Sequence, residues 1–165
     1  QTDIKTIGEG DDTQTLLWGN GTIENGLIII PSNFCSAGKT IRIKANGIVA
    51  SNPTLGGLNI TIQLGDTTLG TTGYKNLNLS NIPSKYWDLE NIITCTNATA
   101  VLSVGRFQYV SESSLGEALN LELVPSVIAP MSIGNGGLLN VTAGFNSTYL
   151  FHSLKTLTAS VEVLN

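Results

Sequence analysis

One histidine, two cysteines and one methionine leave this 165-residue chain little material for imidazole catalysis or metal binding. Any histidine dyad would have to be built on His152, whose surroundings "STYLFHSLK" hold no nucleophile motif, so His152 is expected to be a surface or packing residue. Cys35 and Cys95 have no His, Asp or Glu at ligand spacing, and a structural zinc needs four ligands. We therefore expect no metal and no cofactor. Both cysteines lie among residues with core-like alternation and are expected as buried free thiols, a preference that a secreted origin would reverse.

Charge is also scarce. Charged residues make up 12% of the chain, the net charge is −4 and there is no basic cluster, which argues against nucleic acid or an anionic membrane as a partner. The longest apolar run, residues 27–31, is far too short to cross a bilayer, and no signal-peptide pattern opens the sequence. Because the chain begins with Gln1, it is expected to be an excised or processed domain.

What the chain does have is Gly, Thr, Ser and Asn among 41% hydrophobic residues, a composition suited to short strands joined by tight turns. Its length fits one domain, residues 1–165, with 1–12 read as a possible leading segment. "LNITIQL" sets Leu58, Ile60, Ile62 and Leu64 against Asn59, Thr61 and Gln63, and the turn signal "GD" follows. "WDLENIITC" aligns Trp87, Leu89, Ile93 and Cys95, and "TLTASVEVL" aligns Leu157, Ala159, Val161 and Val163. Weaker strands are expected at "TLLW", "TIENGLIII", "NLNL", "ALNLELV" and "GLLNVTAGF". No segment sustains helical spacing, so about ten short strands predict an antiparallel sandwich or barrel.

"PSNFCSAGKTIRIKANG" contains Gly38, Lys39 and Thr40 where a phosphate-binding loop would end, but Asn33 stands where its first glycine belongs. Such a loop also needs a following helix, whereas Ile41, Ile43 and Ala45 alternate with Arg42, Lys44 and Asn46 at a period of two. A turn at Gly38 leading into a half-buried strand is the expectation. Glu9, Asp11 and Asp12 lack the ligand alternation of a calcium loop, and Glu24, Asp66, Asp88, Glu90 and Glu122 fall in turns or on exposed strand faces. Arg42 and Arg106 are read as their outward-facing partners, and no enzyme is expected.

Asn20, Asn59, Asn78, Asn97, Asn140 and Asn146 each open an Asn-X-Ser/Thr triplet, where this composition produces roughly three by chance. The set is a modest hint of secretion.

"LLWGNGTIENGLIIIPSNFCSAGKTIRIKANGIVAS", "LNITIQLGDTTL", "YWDLENIITC" and the closing "LLNVTAGFNS" and "LTASVEVLN" together resemble, in this order, viral and bacteriophage fibre-head, spike or tail-associated structural domains. The resemblance implies a jelly-roll or tumour-necrosis-factor-like β-sandwich, commonly trimeric. It implies a place on the virion surface, extracellular when assembled, with attachment to a host receptor or glycan. The alternatives are a purely structural capsid or tail component contacting other virion proteins, and a secreted trimeric signalling ligand. In this light Asn33, Phe34, Gly38 and Lys39 resemble the family's inter-strand turn, while residues 111–130 match nothing in it.

"AVLSVGRFQYV" carries apolar residues on both parities, Val101, Phe107 and Tyr109 on one and Leu102, Val104 and Val110 on the other. A homotrimer packed through an apolar sheet face is expected from this surplus, with Phe107, Tyr109, Phe145, Tyr149 and Phe151 as candidate interface residues.

Overall fold

The computed structural model describes residues 5–8, 15–16, 28–50, 57–77, 85–110, 118–125, 129–130, 137–146 and 152–165; of 5–8, 15–16, 118–125 and 129–130 only the backbone is considered. In chain order the strands are β1 Lys5–Gly8, β2 Thr15–Leu16, β3 Ile28–Ile30, β4 Thr40–Ala50, β5 Gly57–Leu64, β6 Thr67–Thr71 and β7 Lys75–Asn76. They continue with β8 Lys85–Asn97, β9 Ala100–Val110, β10 Ala118–Pro125, β11 Ala129–Pro130, β12 Gly137–Phe145 and β13 Ser153–Val163. Every pairing is antiparallel.

Two sheets face each other across one hydrophobic cluster, as the alternation predicts. The first runs β1-β13-β4-β8-β9-β10 and the second β10-β6-β5-β12-β2, with β3 also on β12 and β7 on β5. The chain crosses between sheets from β3 to β4, β4 to β5, β7 to β8 and β12 to β13, while β5–β6 and β8–β9 are hairpins. This is jelly-roll connectivity, in which distant segments become neighbours. Strand β10 closes one side of the sandwich by pairing β9 with its first six residues and β6 through Val124 and Pro125. Lys5–Gly8, within the segment read as a leader, pairs with β13.

Parity decides what enters the core. Leu58, Ile60, Ile62 and Leu64 of β5 meet Ile41, Ile43, Trp87, Leu89 and Phe107 of the opposite sheet. Trp87 and Phe107 stack with centroids 5.5 Å apart. One residue, Leu157, is bulged out of the β13 ladder between Thr156 and Thr158, after which Ala159, Val161 and Val163 stand opposite Ala45, Ile43 and Ile41. His152 is buried and stacked on Phe145 at 5.0 Å, a packing residue. The polar pair Asn91 and Ser103 is buried with mutual hydrogen bonds of 3.0 and 3.2 Å, which removes the cost of leaving amide and hydroxyl dry and unpaired.

The Gly-Lys-Thr stretch forms a crossover turn that leads into β4. Residues 31–39 make two successive tight turns, closed by Phe34 N to Pro31 O at 3.2 Å and Lys39 N to Ser36 O at 3.0 Å. Asn33 and Gly38 take positive φ of 61° and 88°, a backbone shape that asparagine tolerates and glycine adopts freely. Lys39 Nζ lies 5.8 Å from the centre of the Phe34 ring, so its charge has an aromatic partner. The turn is fastened to β8: Gly38 N donates to Cys95 O at 2.9 Å, Cys95 N donates to Lys39 O at 2.8 Å, and Cys35 is disulfide-bonded to Cys95. The expected free thiols are thus corrected to a disulfide, because the β4–β8 register brings Thr40 opposite Thr94 and carries the preceding turn over Cys95.

Candidate functional site

Two surface depressions have lining residues drawn from distant parts of the chain. The first is a shallow depression of about 370 Å³ at one end of β4, β8 and β9, lined by Asn46, Tyr86, Trp87, Asp88, Gln108, Tyr109 and Val110. Antiparallel register builds it: Asn46 stands opposite Asp88, and Asp88 opposite Gln108, on the outward parity of the first sheet. Tyr86, two residues along β8, is 64% exposed, which leaves its ring free for a partner. Beneath this row Trp87 and Tyr109 pair on the inward parity and form a buried aromatic floor. Trp87 Nε1 is buried without a hydrogen-bond partner among the described residues.

Asn46 and Gln108 each offer amide donors and a carbonyl acceptor, and Asp88 adds carboxylate acceptors. An exposed ring beside convergent amides and a carboxylate can stack against an apolar ring face while bonding hydroxyls at its rim. Farther along this sheet face Arg42 sits among carboxylates. Arg42 lies 3.5 Å from Glu90 and 3.9 Å from Glu162, confirming its outward place beside carboxylates, and such half-exposed pairs contribute little to stability.

The second depression is apolar, about 470 Å³, and lies on the side of the sandwich away from β10. Ile28, Ile29, Ile30 and Phe34 line it from the β3 side, and Ile41, Val161 and Val163 from the facing sheet. Here β13 beyond Thr156 has no strand on its outer edge among the described residues. Ile29 and Val163 are 56% and 57% exposed, an unusual place for two large aliphatic side chains.

The aromatic interface candidates fall elsewhere. Phe107, Tyr109 and Phe145 are corrected to core residues: each is almost wholly buried on the inward parity, where it cannot reach a partner chain. The outward apolar residues of β9 are Leu102 and Val104, both exposed, and the half-buried Val110. Tyr149 and Phe151 lie outside the described residues. Neither depression was named by the sequence, although "KYWDLE" carried a signal, a tyrosine and an aspartate on the polar parity of a strong strand.

No protein-family model matches the chain, and the curated proteins hold no match to it. A solved structure that it matches is the crystal structure of scytalido-glutamic peptidase with a transition state analog inhibitor, at 16% identity, a TM-score of 0.26, and coverage of 92% of this chain and 79% of that one. That match is to a peptidase, and the expectation that the chain is not an enzyme is corrected accordingly: catalysis is not excluded. So low a TM-score carries neither fold nor activity across to this chain.

Proposed function

We propose that the chain is an attachment domain that binds a glycan at the depression formed by Asn46, Tyr86, Asp88 and Gln108. What carries this reading is the convergence of an exposed aromatic ring, two amides and a carboxylate on one shallow surface. Sugars present hydroxyls that both donate and accept, together with an apolar C–H face, and these residue types answer both features. Sheet residues hold the polar groups at fixed spacing, so little ordering is required on binding. The virion-surface setting, and the fibre-head or spike role with it, rests on the sequence resemblance described above. Binding to a glycan array, followed by titration of the best ligand, tests the reading. Tyr86→Ala is expected to weaken binding by roughly tenfold or more, which is about 1.4 kcal/mol per factor of ten, without changing the melting temperature. Equal binding by the variant would reject this surface.

The apolar slot supports a second reading, assembly of this domain into a homotrimer in which another copy covers Ile29 and Val163. Such an assembly removes two exposed aliphatic side chains from water without engaging the core aromatics. Light scattering is expected to give about three times the 17.4 kDa chain mass, falling to one chain mass in Val163→Asp. A wild-type mass of a single chain at high micromolar concentration would refute the assembly.

A further inference from the structure

We propose that Asn97 is an N-glycan acceptor, which would make the domain itself a glycoprotein. Asn97, Ala98 and Thr99 form the exposed tip of the β8–β9 hairpin and spell an Asn-X-Thr triplet. The tip is held in a tight local turn by the triplet's own groups. Thr99 N donates to Asn97 Oδ1 at 2.8 Å and Thr99 Oγ1 donates to the same oxygen at 3.1 Å. The carbonyl of the carboxamide is thus held by the hydroxyl residue of the triplet, while its nitrogen has no partner among the described residues.

The other described triplets differ. Asn59 sits half-buried in mid-strand, donating to Thr61 Oγ1 at 3.3 Å and accepting from Thr71 Oγ1 at 2.8 Å. Asn140 is half-buried in mid-strand opposite Gln63. Asn146 accepts from Gly57 N at 2.6 Å and so fastens β12 to the start of β5. Asn97 alone among them combines full exposure with a hydrogen-bonding role confined to its own triplet.

A second observation points to the compartment. The Cys35–Cys95 disulfide ends two residues before Asn97, and such bonds persist in oxidising compartments, where N-glycan transfer also takes place. In the transfer, the Asn97 Nδ2 bonds to the anomeric carbon of an oligosaccharide carried on a lipid pyrophosphate. The bond from that carbon to the pyrophosphate oxygen breaks, the lipid pyrophosphate leaves with the electron pair, and one amide proton passes to a base of the transferase. No oxidation or reduction occurs.

Placement in the fold makes the modification compatible with binding. Asn97 is eleven residues from Tyr86 along β8, roughly 36 Å at the usual strand rise, so a glycan there leaves the proposed attachment surface open. The modification would shield the end of the sandwich that carries the disulfide and the crossover turn.

The test is expression behind a secretion signal in a glycosylating eukaryotic cell, then peptide mapping after amidase release of N-glycans in heavy-oxygen water. Asn97 is expected to be recovered as labelled Asp in most molecules of the folded, secreted protein. Thr99→Ala should abolish that label and Thr99→Ser should retain it, while melting temperature and glycan-array binding hold in both. Secreted, folded protein with Asn97 unlabelled would overturn the proposal, as would labelling that survives Thr99→Ala.

Discussion

Replacing Cys35 and Cys95 together with alanine is expected to lower stability by about 4 kcal/mol, the chain-entropy effect of opening a loop whose ends are 60 positions apart in sequence. The bond joins the crossover turn to β8 across a ladder already completed by the hydrogen bonds of Gly38 and Lys39 with Cys95. The native backbone is therefore expected to keep its shape when the bond is absent, and the loss comes from a freer unfolded chain. Urea unfolding of the oxidised protein and the double variant measures the difference. A change below about 1 kcal/mol would mean that the unfolded chain gains little freedom from the loss.

Gly47→Ala is expected to cost about 3 kcal/mol or more, as overpacking against a backbone that cannot retreat. A Cβ at Gly47 would overlap the carbonyl oxygen of Lys155 and stand 2.9 Å from Trp87 Nε1. Gly47 pairs with Thr156, beside the bulged Leu157, where the regular ladder is interrupted. Relief would require shifting β13 or displacing Trp87 from its stack on Phe107, and either disturbs the centre of the first sheet. Thermal unfolding of the variant tests this. An unchanged melting temperature would show that the bulge can relax.

Strand periodicity was legible because core burial and the pleat act through the same two-residue alternation. "LNITIQL" became β5 with the buried set on the predicted parity, and the weaker expected strand "GLLNVTAGF" became β12. Beyond the turn signal "GD" no strand is expected, yet Thr67–Thr71 forms β6, because pairing to β5 outweighs the weak strand preference of glycine. In "AVLSVGRFQYV" both parities were apolar, so local pattern could not choose a face. Stacking on Trp87 and pairing with Leu89 send Phe107 inward, and Leu102 and Val104 face out in consequence. The disulfide escaped for a related reason, since Cys35 and Cys95 are joined by a sheet register and by no local motif. The attachment surface was equally hidden, because Asn46, Asp88 and Gln108 become neighbours only when β4, β8 and β9 pair.

The central claim is that Asn46, Tyr86, Asp88 and Gln108 form a glycan-binding surface, and amide chemical-shift mapping of the isotopically labelled domain against its best array ligand tests it most directly. The expected result is saturable shifts confined to the ends of β4, β8 and β9 around these four residues, absent in Tyr86→Ala. Shifts centred on Ile29 and Val163 instead, or no saturable shift with any glycan, would contradict it.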